Sequence, residues 1–562
     1  MSTVMGPQPN TNYLKSAIGK IYGDEDDFIV LGLTGRTGSG CSTAAKILRS
    51  KREDIRHCLY AGEKPGTNEQ RKERILLRHF KATWTPFLLI QVRAVITTFL
   101  LDSDVKQALD FFKELLPDAA QQEKFSVLLE DLRKPYEVIL KNQDKEDAIK
   151  YFTNTLPTKC DELRATLGES SFVQLYQIIG RNIRLSGDPY NSSLIEGKFF
   201  TLADRVNWVI KKIRKERTKI NQPTYIVIDA IRNPLEALFF QDQYASFFLV
   251  AVSTPESDRQ LRLRRLKYSE SDIASIDRIE YTPKDLHKTD FFSVQDIQAC
   301  LQRADLYISN PNVIAEVNKF QDLANQLLRF VSLIRRPGIV TPSALERCMQ
   351  IAYTAKLNSG CISRQVGAVV TDKNFSLRSI GWNDAPHGQV PCNLRNRDDL
   401  LGGADSSAYS EFERNDGKYL GHFKASSKRF KIVPDGGRNN SFCFKSEYND
   451  FTGVKNQVHT RALHAEENAF LQIAKYGLAS IEGGLLFTTA SPCELCAKKA
   501  YQLGITEIFY IDPYPGIATE HILQGGLNNP TLTLFSGAIG RAFHKLYSPI
   551  VAYKDELSAL TT

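Results

Sequence analysis

Apolar residues along this chain fall into two patterns. Short unbroken runs, "FIVLGLTG" (28–35), "TYIVIDAI" (224–231) and "SFFLVAVS" (246–253), lack the polar alternation of a sheet with one wet face and predict buried strands. Longer stretches such as "DSDVKQALDFFKELL" and "LADRVNWVIKKIRK" repeat apolar residues at three- and four-residue spacing and predict amphipathic helices. Strands alternating with helices imply a parallel sheet covered on both faces. The mostly helical pattern over about 100–222 is expected to be an insertion into that domain.

The punctuation "IRRPGIVTPSALERC", with Pro337, Gly338 and Pro342, places a domain boundary near 335–341, giving units 1–335 and 336–562. A second α/β pattern follows. Strands are expected at "VGAVVT", "SLRSIGWN", "GGLLFTTA" and "TEIFYID", and helices at "PSALERCMQIAYTAKL", "HAEENAFLQIAKYG" and "CELCAKKAYQLG". Residues 385–458, rich in Gly, Asn, Asp and Ser, are expected to be irregular.

Length makes two or more domains the default. The balance of 72 basic against 64 acidic residues, formally +8, is mild and lacks the dense basic runs of a dedicated nucleic-acid binder, while small anionic ligands fit it well. The most apolar run, "PFLLIQVRAVITTFLL", contains Arg93 and is too short and mixed to span a bilayer. A cytoplasmic protein without membrane contact is the expectation. Of ten cysteines only Cys493 and Cys496 are close in sequence, a pair suited to metal or redox chemistry in a reducing compartment.

A zinc ion that activates water needs three protein ligands and one open position, and favours imidazole and thiolate. "HAEENAF" and "SPCELC" supply His464, Cys493 and Cys496, with both sulfurs at the first turn of a helix, where unpaired N–H groups favour thiolate. Glu466, two residues after the histidine, is placed to move protons without binding the metal. Two alternatives exist. Half of a structural zinc ribbon would need a second ligand pair, which the scattered Cys348, Cys361, Cys392 and Cys443 do not offer, and a redox dithiol leaves His464 and Glu466 without a role.

H-x-E followed by P-C-x-x-C is the signature of zinc-dependent nucleobase deaminases. With "SGCISRQVGAVV", "GWNDAPHG", "HAEENAF" and "TTASPCELCAKKAYQLGI", residues 342–556 resemble the deoxycytidylate deaminase branch of the cytidine deaminase superfamily. The resemblance implies an α/β/α fold, Zn2+ as cofactor, and deoxycytidine nucleotides as substrates. It further implies a sugar contact at Asn383, backbone recognition of the pyrimidine at Ala465, and an aromatic beside the base at Tyr514; a turn residue and a packing aromatic are the alternatives for Asn383 and Tyr514. Arg364, Arg395 and Arg397 are candidate phosphate contacts or exposed charges. No interleaved basic and aromatic tract adjoins the motifs as a strand-tracking channel requires.

At the other end, "GRTGSGCS" follows a strand and opens a helix, as a phosphate-binding loop does. Gly35, Gly38, Gly40 and Ser42 match the loop, Cys41 stands where the lysine belongs, and Asp229 at the end of "YIVID" resembles the second acidic motif. This half resembles a P-loop nucleotide kinase, with a nucleotide or other phosphate as its expected ligand and Arg36 or Lys46 as substitute cations. A tight packing turn is the alternative. Kinase-like domain and deaminase in one chain resemble the bacterial anti-phage deoxycytidylate deaminases. That resemblance implies conversion of dCTP and dCMP to deoxyuridine nucleotides and restraint by an inhibitory RNA; a homo-oligomer is a separate expectation.

Overall fold

The computed structural model describes residues 17, 19–22, 27–55, 64–113, 118–141, 147–280, 295–312, 320–430, 433, 436–477, 480–512 and 518–561. The chain divides into two compact units, 1–341 with 536–562, and 342–535. The last segment, expected to belong with the second domain, therefore rejoins the first.

Unit 1 is built on β1 (Phe28–Thr34), β2 (Leu88–Gln91), β3 (Thr224–Asp229), β4 (Phe247–Ser253) and β5 (Leu306–Ser309). They lie in the order β5–β4–β1–β3–β2, all parallel. Central β1 is buried along its whole length, as its unbroken apolar run demands. Ile29, Leu31 and Leu33 pack with Ala44, Ala45 and Leu48 of the helix Cys41–Arg49. The run "PFLLIQVRAVITTFLL" is a strand passing directly into a buried helix, Val92–Leu101, with no turn residue between to mark the change. Helices from Val92–Leu101 to Thr201–Lys219 form the insertion between β2 and β3.

Gly537–Ala538 pairs antiparallel with β5. The buried Asp305 carboxylate accepts the amide of Leu249 at 2.8 Å and pairs with Arg541 Nε at 2.7 Å, while Arg541 Nη2 donates to the Phe247 carbonyl at 2.6 Å. A buried carboxylate needs such partners. Sequence spacing gave no sign that they come from residues 236 positions apart.

Unit 2 has a five-stranded sheet in the order β10–β9–β8–β6–β7, from β6 (Gly367–Thr371), β7 (Leu377–Trp382), β8 (Leu485–Ala490), β9 (Glu507–Asp512) and β10 (Thr531–Leu534). β6 is antiparallel to both β7 and β8, and β8, β9 and β10 run parallel. Neighbouring strand residues face opposite sides. A Cβ at Gly367 would lie 2.0 Å from the carbonyl of Ala352, and one at Gly381, opposite Ala368, 2.2 Å from that of Ala465. Helix Ala344–Ala355 thus covers one face and helix Ala465–Tyr476 the other, an α/β/α layering.

The stretch 385–458 is not irregular among its described residues. Helices Arg397–Gly402, Glu411–Asn415, Gly417–Ser427 and Phe444–Thr452 surround a small core that includes Tyr409, Tyr419, Phe423 and Phe442. Arg395 and Arg397 are buried there, paired with Glu413 and Glu447 and set against the Phe442 ring. They hold this subdomain together and are not exposed phosphate contacts. Charged residues default to the surface, and only this enclosure by carboxylates and rings reverses that. No helix among the described residues is long and apolar enough to cross a membrane.

Gly381→Ala drives a methyl into the backbone of the helix that begins at Ala465, so it should cost about 1–3 kcal/mol and lower activity with stability. Thermal unfolding of the full chain checks it; an unchanged midpoint would contradict the close packing.

Candidate metal centre

Two helices of unit 2 begin at one point. His464 is the extended residue before helix Ala465–Tyr476, and Cys493 holds the same position before helix Glu494–Gln502, with Cys496 inside its first turn. The helices are tied together by an ion pair between Glu467 and Lys499, and the first is anchored to β7 by Asn468 Nδ2, which donates to the Trp382 carbonyl at 3.0 Å. Upstream, the amide of Leu463 donates to the Asp384 carbonyl at 2.8 Å and fixes the approach to His464.

His464 Nδ1 lies 3.2 Å from Cys493 Sγ and 3.5 Å from Cys496 Sγ, and the three donor atoms are within 4.8 Å of one another. Hydrogen bonding from Cys496, then from His464, pulls the Cys493 thiol down to about 3. The same bond, with burial, pushes Cys496 up. His464 is raised in turn by its hydrogen bond with Cys493, so metal uptake, which needs neutral imidazole and thiolate, releases protons.

Glu466 stands apart from the three donors. It is buried, and desolvation raises its carboxyl above the usual glutamate range. Thr488 on β8 places its hydroxyl 3.1 Å from Glu466 Oε1 and 2.8 Å from the Ala490 carbonyl. The hydroxyl has one hydrogen and also accepts. It donates to an ionised Glu466, or turns to Ala490 and accepts from a protonated one, so either state has a partner. Thr488 carries no motif signal, and Glu467, the second glutamate of "HAEENAF", gave no sign in sequence of its pairing with Lys499.

Ala465 is fully buried at the first position of its helix. Asn383 is buried, with Oδ1 accepting the amide of Val366 at 2.6 Å and Nδ2 donating to the Arg364 carbonyl at 2.7 Å. Each end of the amide keeps one further hydrogen-bonding position. Arg364 pairs with the buried Asp512 at the end of β9. Tyr514 lies outside the described residues.

In unit 1 the loop after β1 joins the helix Cys41–Arg49, with Gly38 and Gly40 in the positive-φ region at 90° and 111°. A Cβ at Gly35 would lie 2.4 Å from the Val252 carbonyl and one at Gly40 2.2 Å from Asn310 Nδ2, so glycine is required at both. Cys41 is a neutral thiol pushed up to about 12 by burial. Ser42 Oγ is 3.4 Å from Asp229 Oδ2, and burial raises that carboxyl.

Residues 342–512 match the model of the cytidine and deoxycytidylate deaminase zinc-binding region. The deoxycytidylate deaminase of Enterobacteria phage T4 is 32% identical over 174 residues, which are 30% of this chain and 76% of that protein. The chain belongs to the cytidine and deoxycytidylate deaminase family. ComE operon protein 2 of Bacillus subtilis (strain 168) is 39% identical over 54 residues, 10% of this chain and 28% of that protein. The crystal structure of dCMP deaminase from the cyanophage S-TIM5 with dCMP and dUMP covers 35% of this chain and 99% of its own, at 24% identity and a TM-score of 0.22.

The residues of this deaminase fit zinc on their own chemistry: one imidazole nitrogen and two sulfurs converge, no fourth Cys, His or carboxylate joins them among the described residues, and hydrogen bonding pulls the Cys493 thiol well below the ordinary cysteine range, as a thiolate ligand needs. Three ligands leave a coordination position open, as a catalytic site needs. Cys493→Ser or Cys496→Ser should abolish zinc binding, read as metal per chain by elemental analysis. Stoichiometric zinc after either change would exclude that sulfur as a ligand.

Proposed function

We propose that unit 2 hydrolytically deaminates free deoxycytidine nucleotides, dCMP, dCTP or both, to deoxyuridine nucleotides. The observation that carries this is the separation of roles at one half-buried point: three metal donors within 4.8 Å of one another, with an unligated, buried carboxyl on the same helix start. His464, Cys493 and Cys496 hold the zinc. When bound, it supplies the Lewis acidity that makes water nucleophilic at neutral pH.

The chain's own groups do the rest. Glu466 takes a proton from the attacking water and delivers it to the ring nitrogen N3; a second transfer through the same carboxyl lets the amine leave as ammonia while the carbonyl of uracil forms. Its raised pKa suits it to hold and release protons in turn. Thr488 supports the carboxyl in both states. Ala465 contributes main-chain groups to the pyrimidine and Asn383 its remaining amide positions to the sugar; the family resemblance alone assigns a base contact to Tyr514.

Resemblance to anti-phage deaminases supports depletion of dCTP during infection as the physiological role, under restraint by an RNA. For unit 1 we infer a phosphate-binding loop at Gly35–Ser42 that regulates and does not hydrolyse. The parallel order β2–β3–β1–β4–β5, the loop after β1 and Asp229 beside Ser42 favour a kinase-like origin, while the neutral thiol of Cys41 removes the lysine's charge.

Incubation of the zinc-loaded chain with dCMP, dCTP, deoxycytidine and single-stranded oligonucleotides, read as ammonia release and by sequencing, should consume the nucleotides and leave the oligonucleotides unedited. Uracil in the oligonucleotides would replace this proposal with polynucleotide editing. Glu466→Ala should keep its zinc and lose turnover on the order of 10²–10⁴-fold, and near-normal turnover would remove Glu466 from the chemistry.

A further inference from the structure

The loop of unit 1 already holds an anion, and it comes from the chain itself. The Thr37 amide donates to Glu280 Oε1 at 3.0 Å and to Oε2 at 3.3 Å, and the Thr37 hydroxyl donates to Oε1 at 2.5 Å. Glu280 ends the helix Glu270–Glu280, 243 residues along the chain from Thr37, and its side chain is fully buried. An outward-facing amide in a glycine-rich loop before a helix is where such loops bind phosphate. Here it meets a carboxylate.

The cations around it are similarly engaged. Arg232 Nη1 pairs with Glu280 at 3.0 Å while its Nη2 donates to the Thr37 hydroxyl at 3.2 Å. Arg36 pairs with Glu256 and, at 2.7 Å, with Asp277. Buried Arg259 holds the same two carboxylates and donates to the Thr37 carbonyl at 3.3 Å. Three guanidinium groups therefore face three carboxylates, all within reach of one loop residue. Removing the charge of Glu280 alone leaves this cluster one positive charge in excess at the loop amide.

Resting on the phosphate-loop reading of unit 1, we propose that Glu280 is an internal substitute for phosphate that keeps the loop shut, and that Arg232 supplies the cation missing at Cys41. The triphosphate chain of a nucleotide displaces the carboxylate, takes over the Thr37 N–H and hydroxyl, and pairs with the released Arg232. The exchange is one anion for another of higher charge on the same donors, so it needs no rebuilding of the loop. Glu280 sets the threshold concentration at which unit 1 responds.

The test is calorimetric titration of the full chain with ATP and, separately, with inorganic triphosphate. Glu280→Gln should bind both about tenfold tighter than wild type or better, the size expected when a charge-assisted competitor is lost. Adding Arg232→Ala to Glu280→Gln should abolish the gain. Glu280→Asp, one methylene shorter, keeps the charge but withdraws from Thr37, and should also tighten binding; it decides the matter if Glu280→Gln does not fold. Equal affinities in wild type and both Glu280 variants would overturn the plug and leave the phosphate loop standing. Tightening for ATP alone would overturn competition with phosphate. No binding by any folded variant would overturn the plug and the phosphate loop together, leaving a packing turn.

Discussion

Unit 2 depends on two helix starts meeting at one point. Each helix opens on N–H groups that no carbonyl of its own can pair, and there the chain sets an imidazole and two sulfurs against one another, the His464 ring accepting the amide of Glu467. Left alone, such a cluster of polar groups in a half-buried site would be costly; a metal ion satisfies it. Glycine at Gly381 lets the first helix lie directly on β7, Asn468 anchors it there, and the Glu467–Lys499 pair fixes the second helix to the first. Between them they place Glu466 in a dry position next to the donors, where its carboxyl titrates higher than in water.

Unit 1 uses charge differently. Its apolar strands need no help to assemble, and the polar groups gather where the strands end, around the loop after β1. Arginines and carboxylates from four separate stretches of chain neutralise one another over Thr37. A loop whose backbone favours anions is thereby satisfied from within, and the neutral thiol of Cys41 adds no charge to the balance. Asp305 and Arg541 perform a related task at the other edge of the sheet, fastening residues 536–562 to β4 and β5.

Where a local pattern decides structure, the sequence was legible. The runs that became β1, β3, β4, β6, β8 and β9 are apolar and bounded, and the ligand set His464, Cys493 and Cys496 is spaced for helix starts. Where partners are distant it was not. β2 runs into its helix without punctuation, and β5 and Gly537–Ala538 are too short to stand out. The aromatic residues from Tyr409 to Phe442 look like loop residues until the fold gathers them, and then Arg395 and Arg397 turn inward. Thr488 is one more strand residue until Glu466 lies beside it, and Glu280 is an ordinary helix-end charge until it meets Thr37. Hydrogen-bond partners tens or hundreds of residues away leave no periodic trace.

Everything in unit 2 turns on three side chains holding zinc and leaving a fourth position open for water. X-ray absorption at the zinc edge of the loaded full-length chain tests it directly. The expected shell is two sulfurs at about 2.3 Å, one imidazole nitrogen at about 2.0 Å and one further light atom. A shell of four protein ligands, or of three or more sulfurs, would make the site structural and contradict it.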